Sequence, residues 1–223
     1  MIEPGGCRQA LIYRCIEKTE RDQGMNEKNR ANVERMIQGD RQAFDELYHS
    51  YSGKLYRMAY VITGNRSDSE DVLQETFVKC FLHRHKLKEP ERFEPWLYRI
   101  LVRTAWRKGK SRRETSLEAM MEDPENGGNR YEPESGEAGL LEQVLRQEES
   151  ARLWRLVGEL DVKYRTVILL HYYNELGTRE IARITGTLEG TVKSRLFQAR
   201  KLLRKRLEAE DGERGKCYEQ KLG

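Results

Sequence analysis

A central stretch of the chain, residues 114–139, cannot contribute to a hydrophobic core. It holds eight acidic residues and one basic residue, Arg130, together with two prolines and four glycines. A segment with so few apolar side chains gains too little from burial to offset the entropy of ordering its backbone. We therefore expect a flexible acidic linker here, with a folded domain on either side.

The segments on both sides of this linker repeat apolar residues at helical spacing. Between residues 33 and 62, and again between 144 and 172, apolar side chains return every three or four positions. Asp40 is expected to cap the helix that carries Phe44. No alternating strand pattern of useful length occurs, so the predicted fold class is all-α, with two small helical domains.

Composition divides the chain into five segments. We expect a loose N-terminal extension (1–29), a helical domain (30–113), the acidic linker (114–139), a second helical domain (140–208) and a polar tail (209–223). Met25 opens a more ordinary helix start, so residues 1–24 are expected to be a loose extension or to precede the natural beginning. The four scattered cysteines, the lack of a secretory pattern and the lack of a run of about 18 apolar residues predict a cytoplasmic protein that does not insert into a membrane.

The net charge of +4 hides a strong sorting of charge along the chain. Residues 99–113 carry seven basic groups and no acid, and residues 187–206 carry seven basic groups and one acid, Glu189. Basic helices of this kind are typical of surfaces that bind nucleic-acid phosphates. The near-neutral total excludes a uniformly basic coat and leaves two local basic surfaces.

Residues 178–196 have the pattern of a helix-turn-helix. Thr178 and Thr187 are expected to cap two successive helices. Gly186 falls at the turn between them, where the backbone needs a positive φ. The residues expected on the buried face are Ala182, Val192, Leu196 and Ala199. The pattern predicts that the second helix enters the major groove of DNA.

Several runs in the first domain, together with this segment, resemble the extracytoplasmic-function sigma factors, the short group of the sigma-70 family. The runs are residues 39–48, 55–59, 68–77 and 96–105, followed by 190–196. The specific combination is Asp-x-Glu-Asp-x-x-Gln-Glu-x-Phe at 68–77 followed by Gly-Thr-Val-Lys-Ser-Arg-Leu at 190–196. The resemblance implies a sigma factor that binds core RNA polymerase, recognises the −35 and −10 promoter elements and assists promoter melting. It implies neither an enzyme nor a cofactor, and it implies an anti-sigma partner.

The same resemblance implies three groups of contact residues. The group expected on core polymerase is Asp68, Glu70, Asp71, Gln74, Glu75 and Phe77. The group expected at the −10 element is Arg99, Arg103, Trp106, Arg107 and Lys108. The group expected at the −35 element is Thr191, Lys193, Ser194, Arg195, Phe197, Gln198, Arg200 and Lys201. Arg195 and Arg200 are expected to contact phosphate or acids within the domain. Many family members carry Asn and Asp at the positions of Arg103 and Arg107, so no −10 base contact is assigned.

Other interpretations stay open. The acids near residue 70 are also explained as complements of a helix dipole, with Phe77 in the core. Cys80, His83 and His85 lack a fourth ligand at a suitable spacing, so no metal site is predicted. No nucleophile or ligand cluster accompanies the acids, so no catalytic site is predicted. The main alternative function is a stand-alone helix-turn-helix regulator that binds duplex DNA without polymerase, and a third is an RNA-binding or structural helical protein.

Overall fold

A computed structural model describes residues 27–119 and 148–222. The first range contains four α-helices and two short 3₁₀ turns. These are α1 (Glu27–Ile37), α2 (Arg41–Thr63), α3 (Arg66–Leu82), the turns Arg84–Lys86 and Pro90–Arg92, and α4 (Phe93–Ala119). Within these two ranges no strand occurs, which confirms the predicted all-α class.

The second range contains a second group of four helices. These are α5 (Glu148–Gly158), α6 (Val162–Ile168), α7 (Thr178–Thr185) and α8 (Glu189–Leu222). A π-helical turn, Leu169–Tyr173, continues α6. The two groups form two helical domains, and no helix in the described ranges is long and apolar enough to cross a membrane.

The ends of α2 and the start of α3 follow from local side-chain chemistry. The Asp40 carboxylate accepts hydrogen bonds from the backbone N–H groups of Gln42 and Ala43, which confirms the predicted cap. Gly64 ends α2 in the left-handed region at φ 82°. The Asn65 side chain then accepts from the N–H of Asp68 and starts α3.

Several helices extend beyond the predicted segment boundaries. Helix α1 begins at Glu27, inside the predicted extension, and α4 continues to Ala119, six residues into the predicted linker. Helix α8 runs to Leu222 and so takes in almost all of the predicted polar tail. Residues 1–26, 120–147 and 223 lie outside the described residues. The predictions about Met25 and about most of the linker fall there.

Each domain contributes fully buried apolar side chains, and the two sets join in one hydrophobic cluster. In the first domain, Met36, Leu55, Met58, Leu97 and Leu101 are fully buried. In the second domain the fully buried side chains include Leu156, Ile168, Leu169, Ile181, Val192 and Leu203. The helical spacing of these residues in the sequence is the reason that one face of each helix turns inward.

The two domains pack against each other through α2 and α4 on one side and α5, α6 and α7 on the other. The guanidinium of Arg165 donates to the carbonyl oxygen of Ile62 at 2.6 Å. Arg57 donates to the Tyr173 hydroxyl at 2.7 Å, and the Trp106 indole N–H donates to the Thr166 hydroxyl at 3.1 Å. We call this the closed arrangement.

Candidate nucleic-acid and protein interfaces

The residues predicted on core polymerase all lie on α3, but they do not share one environment. Asp68 is held at the start of the helix by Asn65, whose side-chain amide donates to it at 2.7 Å. Glu70 pairs with Arg66 at 2.8 Å, one turn earlier on the same helix. Asp71 and Gln74 are exposed. Helix α3 therefore presents an acidic face that is only partly used in capping.

Phe77 belongs to the core, because only 3% of its surface is exposed. Its ring packs against Phe44 at 6.1 Å and Tyr48 at 4.6 Å between centroids. As placed in this structure it is not available to a docking partner, which corrects its assignment to the polymerase group and agrees with the alternative of a core residue.

The sequence reasoning missed two exposed apolar side chains on α3. Val78 is 56% exposed and Leu82 is 59% exposed. Gln74, Val78 and Leu82 are spaced four residues apart and therefore lie along one side of the helix. That spacing, on a helix whose other apolar residues are buried or half-buried, was the signal that could have identified them.

Two acids on α3 pair with two basic residues of α4. The Lys108 amine lies 2.6 Å from the Asp71 carboxylate, and Arg107 donates to Glu75. Lys79 also lies 2.8 Å from Glu75. The hydrogen bond from Arg107 holds the pKa of Glu75 below its usual range, and the bond with Asp71 raises the pKa of Lys108. Ion pairs therefore join members of the polymerase group to members of the −10 group.

The other predicted −10 residues lie on a different side of α4, which faces the second domain. Arg99, Arg103 and Trp106 are spaced i, i+4 and i+7 on α4 and so lie on one side of it. Trp106 is bonded to Thr166 of the second domain. Arg103 lies beside the end of α7, where its guanidinium is 3.9 Å from the position of a Cβ atom built on Gly186. In the closed arrangement this side of α4 faces the second domain.

The segment 178–196 forms a helix-turn-helix, as predicted. Gly186 ends α7 at φ 68°, in the left-handed region that the turn requires. Ala182 is buried together with Val192, Leu196 and Ala199, which confirms the predicted buried face.

The predicted caps of this motif are wrong in detail. Gly177 is the residue before α7, and its backbone N–H donates to the Glu180 carboxylate at 3.2 Å. The Thr178 hydroxyl instead donates to Glu189 at 2.9 Å. Helix α8 begins two residues after Thr187, whose hydroxyl bonds with a neighbouring threonine. The hydroxyls of Thr178 and Thr187 therefore form side-chain hydrogen bonds within the motif.

The residues predicted at the −35 element lie along the first four turns of α8. The exposed members are Lys193, Ser194, Phe197, Gln198 and Lys201, and the partly exposed members are Thr191, Arg195 and Arg200. The Lys193 amine lies 2.9 Å from the Glu189 carboxylate. The hydrogen bond from Lys193 is the largest cause of a lowered pKa at Glu189, and the hydrogen bond from Thr178 is the second. Arg200 donates to the carbonyl oxygen of Leu196.

Phe197, which is 60% exposed, and Leu188, which is 79% exposed, add apolar surface to the same basic helix region. Leu188 immediately precedes α8 and was not among the predicted residues. Its position at the helix start, where a recognition helix approaches base edges, was the signal that could have identified it.

The cluster of Cys80, His83 and His85 does not form a metal site. Cys80 is buried, and burial raises the pKa of its thiol to about 12. The rings of His83 and His85 are 6.5 Å apart. Among the described residues, no group of three or more His, Cys, Asp or Glu side chains is placed to hold a metal ion.

Comparison with known families assigns both helical domains. The family "Sigma-70 region 2" matches residues 47–115, which include α3 and most of α4. The family "Sigma-70, region 4" matches residues 150–203, which include the helix-turn-helix. The ECF RNA polymerase sigma factor SigW of Bacillus subtilis is 33% identical over 177 residues, covering 78% of this chain and 94% of that protein.

Solved structures share the fold. CnrH, solved in complex with the cytosolic domain of CnrY, aligns with a TM-score of 0.57 at 24% identity and covers 82% of this chain and 99% of that one. The sigma factor RpoE of Bartonella quintana, solved with the anti-sigma factor NepR, aligns with a TM-score of 0.56 at 20% identity, covering 74% of this chain and 96% of that one.

Proposed function

The chain belongs to the extracytoplasmic-function sigma factors of the sigma-70 family, and we propose how its two domains divide the work of an RNA polymerase sigma factor. The first domain, residues 30–113, docks on core polymerase and engages the −10 element. The segment 114–139 links it to residues 140–208, which read the −35 element. The observation that carries this division is the presence of an acidic helix face and a basic recognition helix on separate domains.

Helix α3 is the proposed docking surface for core polymerase. Asp71, Gln74 and Glu75 supply its polar part, while Val78 and Leu82 supply exposed apolar area. Acids around apolar anchors suit a partner surface that is basic with an apolar centre, because charges steer the encounter and buried apolar contacts add affinity. Asp68 and Glu70 have mainly a local role at the helix start.

Helix α4 is the proposed surface for the melted −10 strand. Arg99 and Arg103 would contact phosphates, and Trp106 would offer an indole face for stacking on an unpaired base. Arg107 and Lys108 would join them once their acidic partners on α3 engage polymerase. Because Trp106 is bonded to Thr166 in the closed arrangement, this use of α4 requires the two domains to separate.

Helix α8 is the proposed reader of the −35 element. Lys193, Ser194 and Gln198 project from its exposed side and carry donors and acceptors that reach base edges in the major groove. Phe197 offers an apolar contact for a thymine methyl group. The remaining cations, Arg195, Arg200 and Lys201, would neutralise phosphates, with Thr191 near the helix start.

The proposed factor works by binding and positioning, without covalent chemistry and without a cofactor. It acts in the cytoplasm, where core polymerase and promoter DNA are found. Solved structures of the same fold include RpoE bound to the anti-sigma factor NepR, and this supports an anti-sigma protein as a further partner.

Capture of core polymerase followed by run-off transcription tests the proposal. The full chain should form a complex with core enzyme, and the complex should start transcription from selected promoter fragments. Val78→Asp should weaken core capture, because it places a charge on the apolar part of the docking surface. Leu188→Asp also replaces an exposed apolar side chain by a carboxylate, but in the other domain, and should leave core capture intact.

The alternative function gives a different result in the same assay. A stand-alone helix-turn-helix regulator would bind duplex promoter DNA with the same affinity whether or not core polymerase is present. Failure of the chain to bind core enzyme, together with tight duplex binding alone, would replace the sigma proposal with that alternative.

A further inference from the structure

One acidic side chain lies at the start of the basic helix α8. Glu189 is the first residue of α8 and the sole acid between residues 187 and 206 of the sequence. Its carboxylate oxygen Oε1 accepts from the Thr178 hydroxyl at 2.9 Å and also lies 2.9 Å from the Lys193 amine. Thr178 belongs to α7 and Lys193 to α8, so both helices of the motif hold this carboxylate in place.

The second carboxylate oxygen of Glu189 keeps its capacity to accept a hydrogen bond. Oε2 faces the Arg179 guanidinium, but the 3.8 Å between them is longer than a hydrogen bond. Since the hydrogen bond from Lys193 lowers the pKa of Glu189, the group is ionised at neutral pH and acts only as an acceptor. The side chain is 36% exposed, and the adjacent Gly190 has open space around it. A donor from outside the protein can therefore reach Oε2.

The pair of Glu189 and Lys193 complements the edge of one kind of base pair. In a G·C pair the guanine O6 and the cytosine amino group lie side by side in the major groove, as an acceptor and a donor. Lys193 and Glu189 are in direct contact, and so they present a donor and an acceptor side by side. The guanine N7 gives the amine a second acceptor, whereas a T·A pair places a methyl group beside its O4. The two side chains therefore fit a G·C pair better than a T·A pair.

We propose that Glu189 determines specificity within the −35 element: its carboxylate accepts from the amino group of a cytosine, while Lys193 donates to the guanine of the same base pair. The first turns of a recognition helix are the part that contacts base edges, and both side chains lie there. Thr178 positions the carboxylate from the preceding helix. This role of Glu189 rests on the proposed function of α8 as the reader of the −35 element.

Selection from promoter fragments with a randomised −35 element tests this role. Core polymerase is loaded with the full chain, and the bound fragments are sequenced. We expect the wild type to select a G·C pair at one position, with the guanine always on the same strand. Glu189→Ala and Lys193→Ala should each reduce the preference at that position by about tenfold. The double variant should lose little more than either single variant, because both side chains contribute to one contact.

Glu159→Ala is the matched control for the loss of a carboxylate. Glu159 also pairs with a cation of α8, since its carboxylate lies 3.2 Å from Arg206, which follows all residues of the −35 group along the helix. This variant should select the same −35 sequence as the wild type. Thermal unfolding of each variant shows whether the second domain keeps its stability.

Several results would overturn the role of Glu189 alone. The wild type selects a −35 sequence without a G·C pair, or Glu189→Ala keeps the preference unchanged. Glu189→Ala and Lys193→Ala relax different base pairs. Glu189→Ala weakens the preference equally at every position and lowers the thermal midpoint, as expected for a carboxylate that only joins α7 to α8. A wild-type complex that selects no −35 sequence at all would instead refute the proposed function of α8, and this role of Glu189 with it.

Discussion

Exchanging the charges of Asp71 and Lys108 separates the two roles that the structure gives to Asp71. Asp71 pairs with Lys108 inside the chain, and it also lies on the proposed docking surface for polymerase. The single variant Asp71→Lys disrupts both interactions. The double variant Asp71→Lys with Lys108→Asp restores an internal ion pair of reversed direction, while the charge presented to polymerase stays reversed.

The expected effect on folding is small. Asp71 is 54% exposed and Lys108 is 40% exposed, so their pair is partly solvated. Pairs of this kind contribute about 0.2–1 kcal/mol, and placing two cations together costs a similar amount. Asp71→Lys should therefore lower the free energy of unfolding by about 1 kcal/mol. For a domain of this size that corresponds to roughly 4–8 °C in the thermal midpoint. The double variant should recover most of the loss.

The expected effect on polymerase binding is larger and is not recovered. A cation that faces a basic partner surface meets like-charge repulsion, which can cost several kcal/mol. A tenfold loss of affinity, about 1.4 kcal/mol, is the least that we expect for both the single and the double variant. Biolayer interferometry with immobilised core enzyme measures the affinity, and urea unfolding measures the stability. Lys108→Asp alone serves as the control for the effect of the second substitution.

Recovery of polymerase affinity together with stability in the double variant would refute the reasoning. Asp71 would then serve only to hold α4 against α3. The acids of α3 would be structural, and the docking surface would have to lie elsewhere on the domain.

Three further predictions follow from single features of the structure. Gly186→Ala should destabilise the second domain by about 1–2 kcal/mol in urea unfolding, because φ is 68° at this position. The control Gly190→Ala lies inside α8 with open space around it and should stabilise the second domain by about 0.5–1 kcal/mol. Hydrogen bonds from the Ala43 N–H and from Arg35 hold the pKa of Asp40 below its usual range. The contribution of the Asp40 carboxylate to stability is therefore present above about pH 4 and is lost as the pH falls through the lowered pKa. In Asp40→Asn, the midpoint of urea unfolding should fall less steeply as the solution is made acidic. Lys193→Ala and Gln198→Ala should change the preferred −35 sequence in a promoter selection while core capture stays unchanged, and unaltered selection would show that another side of α8 reads the DNA.

Features that depend on neighbours in sequence could be predicted without the structure. Asp40 caps α2 because a short acidic side chain three residues before a helical backbone N–H can accept from it. Gly186 ends α7 because the turn needs a left-handed residue. The buried face of α8 follows from the spacing of Val192, Leu196 and Ala199 alone.

Features that depend on residues far apart in the sequence could not be predicted without the structure. Phe77 and Val78 are adjacent apolar residues on α3, yet one is 3% exposed and the other 56%, since only the packing of α2 decides which side is covered. The pairing of Asp71 with Lys108 joins helices that the sequence assigned to different partners. The contact of Arg165 with Ile62 links two domains, and neither residue carries a local signal for it.

The contacts of α4 with α3 and with the second domain imply that two steps precede the binding of a DNA strand by α4. One side of α4, with Arg107 and Lys108, is neutralised by α3, and the other side, with Trp106, faces the second domain. A partner that takes the acids of α3 frees the first side, and separation of the domains frees the second. Since both must happen before α4 can hold a DNA strand, the closed chain should bind single-stranded −10 DNA weakly. Core polymerase should raise that affinity more than any single substitution on α4 lowers it.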